Sequence, residues 1–131
     1  MTQNVLVHIM LMALGVVVLF ATGFIGARDK GGKKLNTHKA LGGIGVVLVL
    51  AGAIGLVVTR ALIPTLPHFY IAVVAIGFMI LTPIGGLLYL KAVPAKKAAL
   101  RKSHRVDAAI FYGLVALAVI FGIISVLSMR R

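Results

Sequence analysis

Four histidines are the residues in this chain best suited to chemistry: His8, His38, His68 and His104. Imidazole can ligate a transition metal, move a proton or tether a helix end. Cysteine is absent, which excludes disulfides and thiolate-ligated centres. The only acids are Asp29 and Asp107, so neither a catalytic carboxylate pair nor a carboxylate at mid-membrane is available. Ser103 precedes His104, but neighbours in a helix do not face each other, so they make no nucleophile–base pair. The remaining uses for four imidazoles are ligation in pairs or tethering of helix ends, and the elements carrying them decide which pairs could form.

Those elements cross a membrane. Of the 131 residues 61% are hydrophobic and 12% charged, with a mean hydropathy of +1.13. A soluble domain of this size could not hide so much apolar surface. Four apolar segments, about 5–27, 38–60, 68–90 and 104–129, each reach the ~20 residues that span a hydrocarbon core as helix. The alternation of a β-barrel is missing. The expected fold is an all-α integral membrane protein, an antiparallel four-transmembrane-helix bundle forming one domain over residues 1–131. Met1-Thr2-Gln3-Asn4 lacks the cationic start of a secretory signal, so the first span is read as retained. Pro83 is expected to bend the third span locally.

Charge orients the bundle. The first connection holds Arg28, Lys30, Lys33, Lys34 and Lys39, and the third holds Lys91, Lys96, Lys97, Arg101, Lys102 and Arg105. Against these, the other side has only Arg60, Arg130 and Arg131. The positive-inside rule therefore puts both basic connections in the cytoplasm and both termini outside, in what is expected to be a prokaryotic plasma membrane. Topology thus accounts for the net charge of +12, and no aromatic residues interleave with the cations to stack on bases. The expected partner is the lipid bilayer, not nucleic acid.

Each histidine falls at the N-terminal end of one span. Because spans alternate in direction, His8 and His68 share the outer depth while His38 and His104 share the cytoplasmic depth. Two imidazoles from two helices at one depth match the axial ligands of a haem iron. Small residues follow each histidine on its own face, since seven, fourteen and eighteen positions return to the same side of a helix. The first span reads His8, Gly15, Thr22, Gly26, and the third His68, Ala75, Thr82, Gly86, a weak internal repeat. The second carries Gly42, Gly45, Gly52 and Gly55, and the fourth Ala108, Ala118 and Gly122 around Phe111. Such faces let a flat macrocycle approach the backbone, and they also serve ordinary helix packing.

The reading is two protohaem IX groups, haem b, with iron held by His8 and His68 near the outer face and by His38 and His104 near the cytoplasmic face. Gly15, Gly45, Gly52 and Ala75 would line the cofactors. Lys39 and Arg105 would meet propionates on the inner side, and Arg60, Arg130 and Arg131 would do so outside. Two bis-histidyl irons ~24 Å apart would pass electrons across the bilayer.

These residues resemble the four-helix core of the cytochrome b561 family. The likeness lies in Leu6-Val7-His8 and Gly26-Ala27-Arg28 at the two ends of the first span and Thr37-His38-Lys39-Ala40-Leu41-Gly42 opening the second. Pro67-His68 opens the third and His104-Arg105 the fourth, so the likeness spans nearly the whole chain. The resemblance implies a transmembrane oxidoreductase with the same two histidine pairs, taking electrons from an ascorbate-like reductant. By that analogy Arg28, Lys33 and Lys34 would form an anionic donor site. Many relatives carry extra flanking helices that are not seen here. Two other readings stay open: an anchor subunit of a larger quinol-linked respiratory complex, with or without haem, and a small four-helix transporter. Quinol, another cytochrome or a second copy of the chain are further expected partners.

Overall fold

A computed structural model describes residues 3–29, 31–61, 63 and 66–128. Lys30, Pro64, Met129, Arg130 and Arg131, which entered the charge and span arguments, lie outside the described residues. The described secondary structure is helical: α1 Gln3–Arg28, α2 Leu35–Val58, α3 Pro67–Lys91 and α4 Pro94–Ser128. With 26, 24, 25 and 35 residues, each is long and apolar enough to cross a membrane.

Local chemistry fixes the helix ends. Asp29 accepts hydrogen bonds from the backbone N–H groups of Lys33 (3.0 Å) and Lys34 (2.8 Å), so its carboxylate caps the approach to α2. Gly32, at φ 71°, makes the tight turn beneath it. Pro67 starts α3 and Pro94 starts α4, the position where a missing N–H costs nothing. The end of α2 is a Schellman motif, with Arg60 N–H donating to Val57 and Ala61 N–H to Leu56. Its left-handed residue is Arg60, at φ 54°, where glycine is usual.

One boundary differs from the sequence expectation. The last helix begins at Pro94, ten residues before the expected start at 104. Ala95, Ala98, Ala99 and Leu100, mixed with Lys and Arg, are strong helix formers, so the basic stretch read as a connection continues the helix. Through Pro83, α3 remains continuous.

The chain divides into two compact units, Met1–Leu62 and Ile63–Arg131. Each is an antiparallel helical hairpin, α1 with α2 and α3 with α4. The first closes on Gly15, Leu19 and Thr22 of α1 against Gly45, Val49 and Gly52 of α2. The second closes on Ala75 and Met79 of α3 and Phe111, Val115 and Ala118 of α4. Counted from each helix's own histidine, these are positions seven, eleven and fourteen in α1, α2 and α4, and seven and eleven in α3. That is the spacing of a heptad seam. Outside the seams, large apolar side chains face outward, with Val17 and Val47 both 65% exposed. Lipid is the environment in which such surfaces are stable.

Candidate functional site

All four histidines occupy the first position of their helix's seam, and all four make the same contact. Nδ1 of His8 lies 3.0 Å from the carbonyl oxygen of Gly52, and that of His38 lies 2.9 Å from the carbonyl of Thr22. In the second hairpin the partners are Ala118 for His68, at 2.7 Å, and Thr82 for His104, at 2.9 Å. Each accepting carbonyl stands fourteen residues beyond the histidine of its own helix. A hairpin therefore holds two reciprocal bonds, one at each end.

The acceptor settles the tautomer. A carbonyl oxygen can only accept, so Nδ1 carries the proton and donates it. In the neutral ring the lone pair then sits on Nε2, the atom that coordinates a metal. Ligating histidines are commonly oriented by a hydrogen bond of this kind from the other nitrogen, which also raises their basicity. The arrangement fits an iron ligand at each of the four positions.

Glycine opens the way to three of these carbonyls. In a helix the carbonyl of residue i points toward residue i+4, so a ring reaching it must pass that residue's Cα. A Cβ on Gly26 would stand 2.7 Å from Cε1 of His38 and 2.8 Å from Nδ1. A Cβ on Gly122 would lie 3.2 Å from Cε1 of His68, and one on Gly86 would lie 3.3 Å from Cε1 of His104. The glycines eighteen residues beyond each histidine thus face the histidine of the paired helix. For His8 that register position is Leu56, and Gly55 beside it faces open space.

The small residues nearer the helix centres, expected to line a macrocycle, pack against the neighbouring helix of their hairpin. A Cβ on Gly45 would meet Leu19 Cγ at 2.6 Å, and one on Gly15 would meet Val49 Cγ2 at 2.8 Å. The corresponding position on Gly52 is 3.2 Å from Leu11 Cβ and Met12 Sδ. Ala75 is buried in the seam of the second hairpin. The physical reason is that the histidine face is the hairpin seam itself, so its small residues are covered by the neighbouring helix.

The two histidines of one hairpin stand at opposite ends of its seam. Fourteen residues of helix separate the level of one from that of the other, about 21 Å. This is shorter than the ~24 Å expected from the sequence. A single metal therefore cannot take both imidazoles of one hairpin.

The expected cations divide by place. Lys39 and Arg105, next to His38 and His104, are exposed. So are Lys33 and Lys34, whose backbone is held by Asp29. Arg28 lies over the Phe24 ring, its guanidinium carbon 3.9 Å from the centroid. Sequence reasoning missed the seam residues Leu19, Val49, Met79 and Val115, although the same eleven-residue offset from each histidine was there to be read. It also missed the carbonyl partners, because a backbone acceptor has no residue type to mark it. Among the described residues no three His, Cys, Asp or Glu side chains gather in one metal-holding group.

Comparison with protein-family models, with curated proteins and with solved structures finds no match to this chain.

Proposed function

We propose that this chain is a transmembrane electron carrier of the cytochrome b561 type. His8 and His68 would hold one b haem and His38 and His104 the other. The observation that carries the reading is the fourfold Nδ1–H to carbonyl contact, which supports Nε2 as the nitrogen that would ligate at each histidine. The two imidazoles of one hairpin stand too far apart to share one iron, and the proposed pairs are those that alternating span direction implies.

Haem, when bound, would supply reversible one-electron chemistry. The chain's own contribution is to hold each ring against rotation and to keep its proton on Nδ1. It also surrounds the sites with apolar helix, where nearby cations act strongly on a redox potential. Lys39 and Arg105 stand beside the inner pair for propionates. Arg28, Lys33 and Lys34 offer cations to an anionic reductant at the same end. The charge bias supports a cytoplasmic position for that end.

The same contact also supports a second reading, in which the histidines are clasps that lock each hairpin of a haem-free anchor subunit. Reduced-minus-oxidised spectra and a pyridine haemochrome count on the purified chain separate the two. Two b haems per chain are expected, with single His→Ala changes at His8 and His68 removing one redox component and those at His38 and His104 the other. A colourless protein from haem-replete cells, or loss pairing His8 with His38, refutes the carrier.

A further inference from the structure

The first turns of α4 extend past what a membrane crossing needs. Its 35 residues make about 52 Å of helix, against a hydrocarbon core of ~30 Å. The surplus before Val106 carries Lys96, Lys97, Arg101, Lys102 and Arg105, and the first turn has no acid. Cations at the positive end of a helix dipole are unfavourable for the helix alone, and an anion outside it would offset that cost.

Three of these cations share one place. Arg101, Lys102 and Arg105 line a shallow groove with Ala98, Val106 and Ala109. Lys97 turns elsewhere, toward the Tyr89 ring at 6.0 Å. The nearest acid, Asp107, points to α3, its Oδ2 3.7 Å from where a Cβ on Gly85 would stand, so it does not neutralise the groove. Along the helix axis the groove changes from cationic to apolar. Beyond Arg105 come Val106, 48% exposed, exposed Ala109, and Gly113, which has nothing within 4 Å of its Cβ position. An anionic amphiphile has the same order, a charged head followed by a chain.

We propose that this groove seats an anionic glycerophospholipid. Its phosphate lies among Arg101, Lys102 and Arg105, and the upper methylenes of one acyl chain lie along Val106, Ala109 and Gly113. The groove thereby selects lipids whose headgroup has net negative charge over zwitterionic ones, whose own cation it repels. It also pins the start of α4 at the headgroup level.

Native mass spectrometry of the full chain, offered equal amounts of phosphatidylglycerol and phosphatidylcholine with matched chains, tests the proposal. Retention of phosphatidylglycerol over phosphatidylcholine by the unaltered protein is expected. Each arginine removed should weaken that retention roughly fivefold, so R101Q/R105Q should lose about twenty-five-fold. The charge-matched K91Q/K96Q control should retain the lipid. Equal retention of both lipids by the unaltered chain overturns the proposal whether or not any variant folds. So does an equal loss in K91Q/K96Q, which would mean net charge alone. Displacement by excess inorganic phosphate would show that the acyl chain contributes nothing, and would overturn it as well.

Discussion

Replacing Gly26 with alanine should damage one histidine contact far more than the same change at the equivalent glycines. The new Cβ would stand 2.7 Å from Cε1 of His38, whereas contacts closer than 3.4 Å are already tight. The ring must therefore retreat by about 0.7 Å. If it moves along the bond axis, the 2.9 Å separation of Nδ1 from the Thr22 carbonyl grows to about 3.6 Å, which is no longer a hydrogen bond. At Gly122 the clash is 3.2 Å and at Gly86 3.3 Å, relieved by about 0.2 and 0.1 Å of movement, and the bonds of His68 and His104 survive. Overpacking and a lost part-buried bond together place G26A about 2–4 kcal/mol below the parent. G122A and G86A should fall within about 1 kcal/mol of it. G55A, whose Cβ meets nothing, should be neutral or slightly stabilising, because alanine favours a helix over glycine by about 1 kcal/mol. Unfolding in mixed detergent followed by circular dichroism gives the order, and the reduced-minus-oxidised spectrum should show the His38 component alone disturbed in G26A. Equal stability of G26A and G55A would refute the role given to these glycines.

Two further expectations concern packing and backbone. Gly45→Ala should destabilise the first hairpin by about 1–3 kcal/mol through its 2.6 Å approach to Leu19 Cγ. Adding Leu19→Ala should recover part of that loss in a double-mutant cycle, and strict additivity would show that the two do not touch. Arg60→Gly should raise stability by about 0.5–1 kcal/mol, since it removes a side chain from the left-handed position ending α2, at φ 54°. Thermal unfolding of the variant checks it, and an unchanged midpoint counts against strain there.

Much of this protein was determined by the order of its residues. Four apolar runs of membrane length specify four helices, because lipid leaves the backbone no other way to satisfy itself in an open segment. A histidine at the start of each run, with small residues seven, fourteen and eighteen places on, already marks one face per helix. Residue types do not say what covers that face. Only the tertiary structure showed that it is the hairpin seam. There Gly15, Gly45 and Gly52 admit the neighbouring helix, and Gly26, Gly86 and Gly122 admit the neighbouring histidine. Nor could composition find the carbonyls of Gly52, Thr22, Ala118 and Thr82, since every residue has one and antiparallel register alone chooses among them. The start of α4 was hidden for a related reason. Membrane hydropathy ends where the cations begin, but a helix rich in alanine, lysine and arginine does not stop there. Sequence placed the imidazoles near the starts of the apolar spans; packing between helices decided which nitrogen of each ring carries the proton.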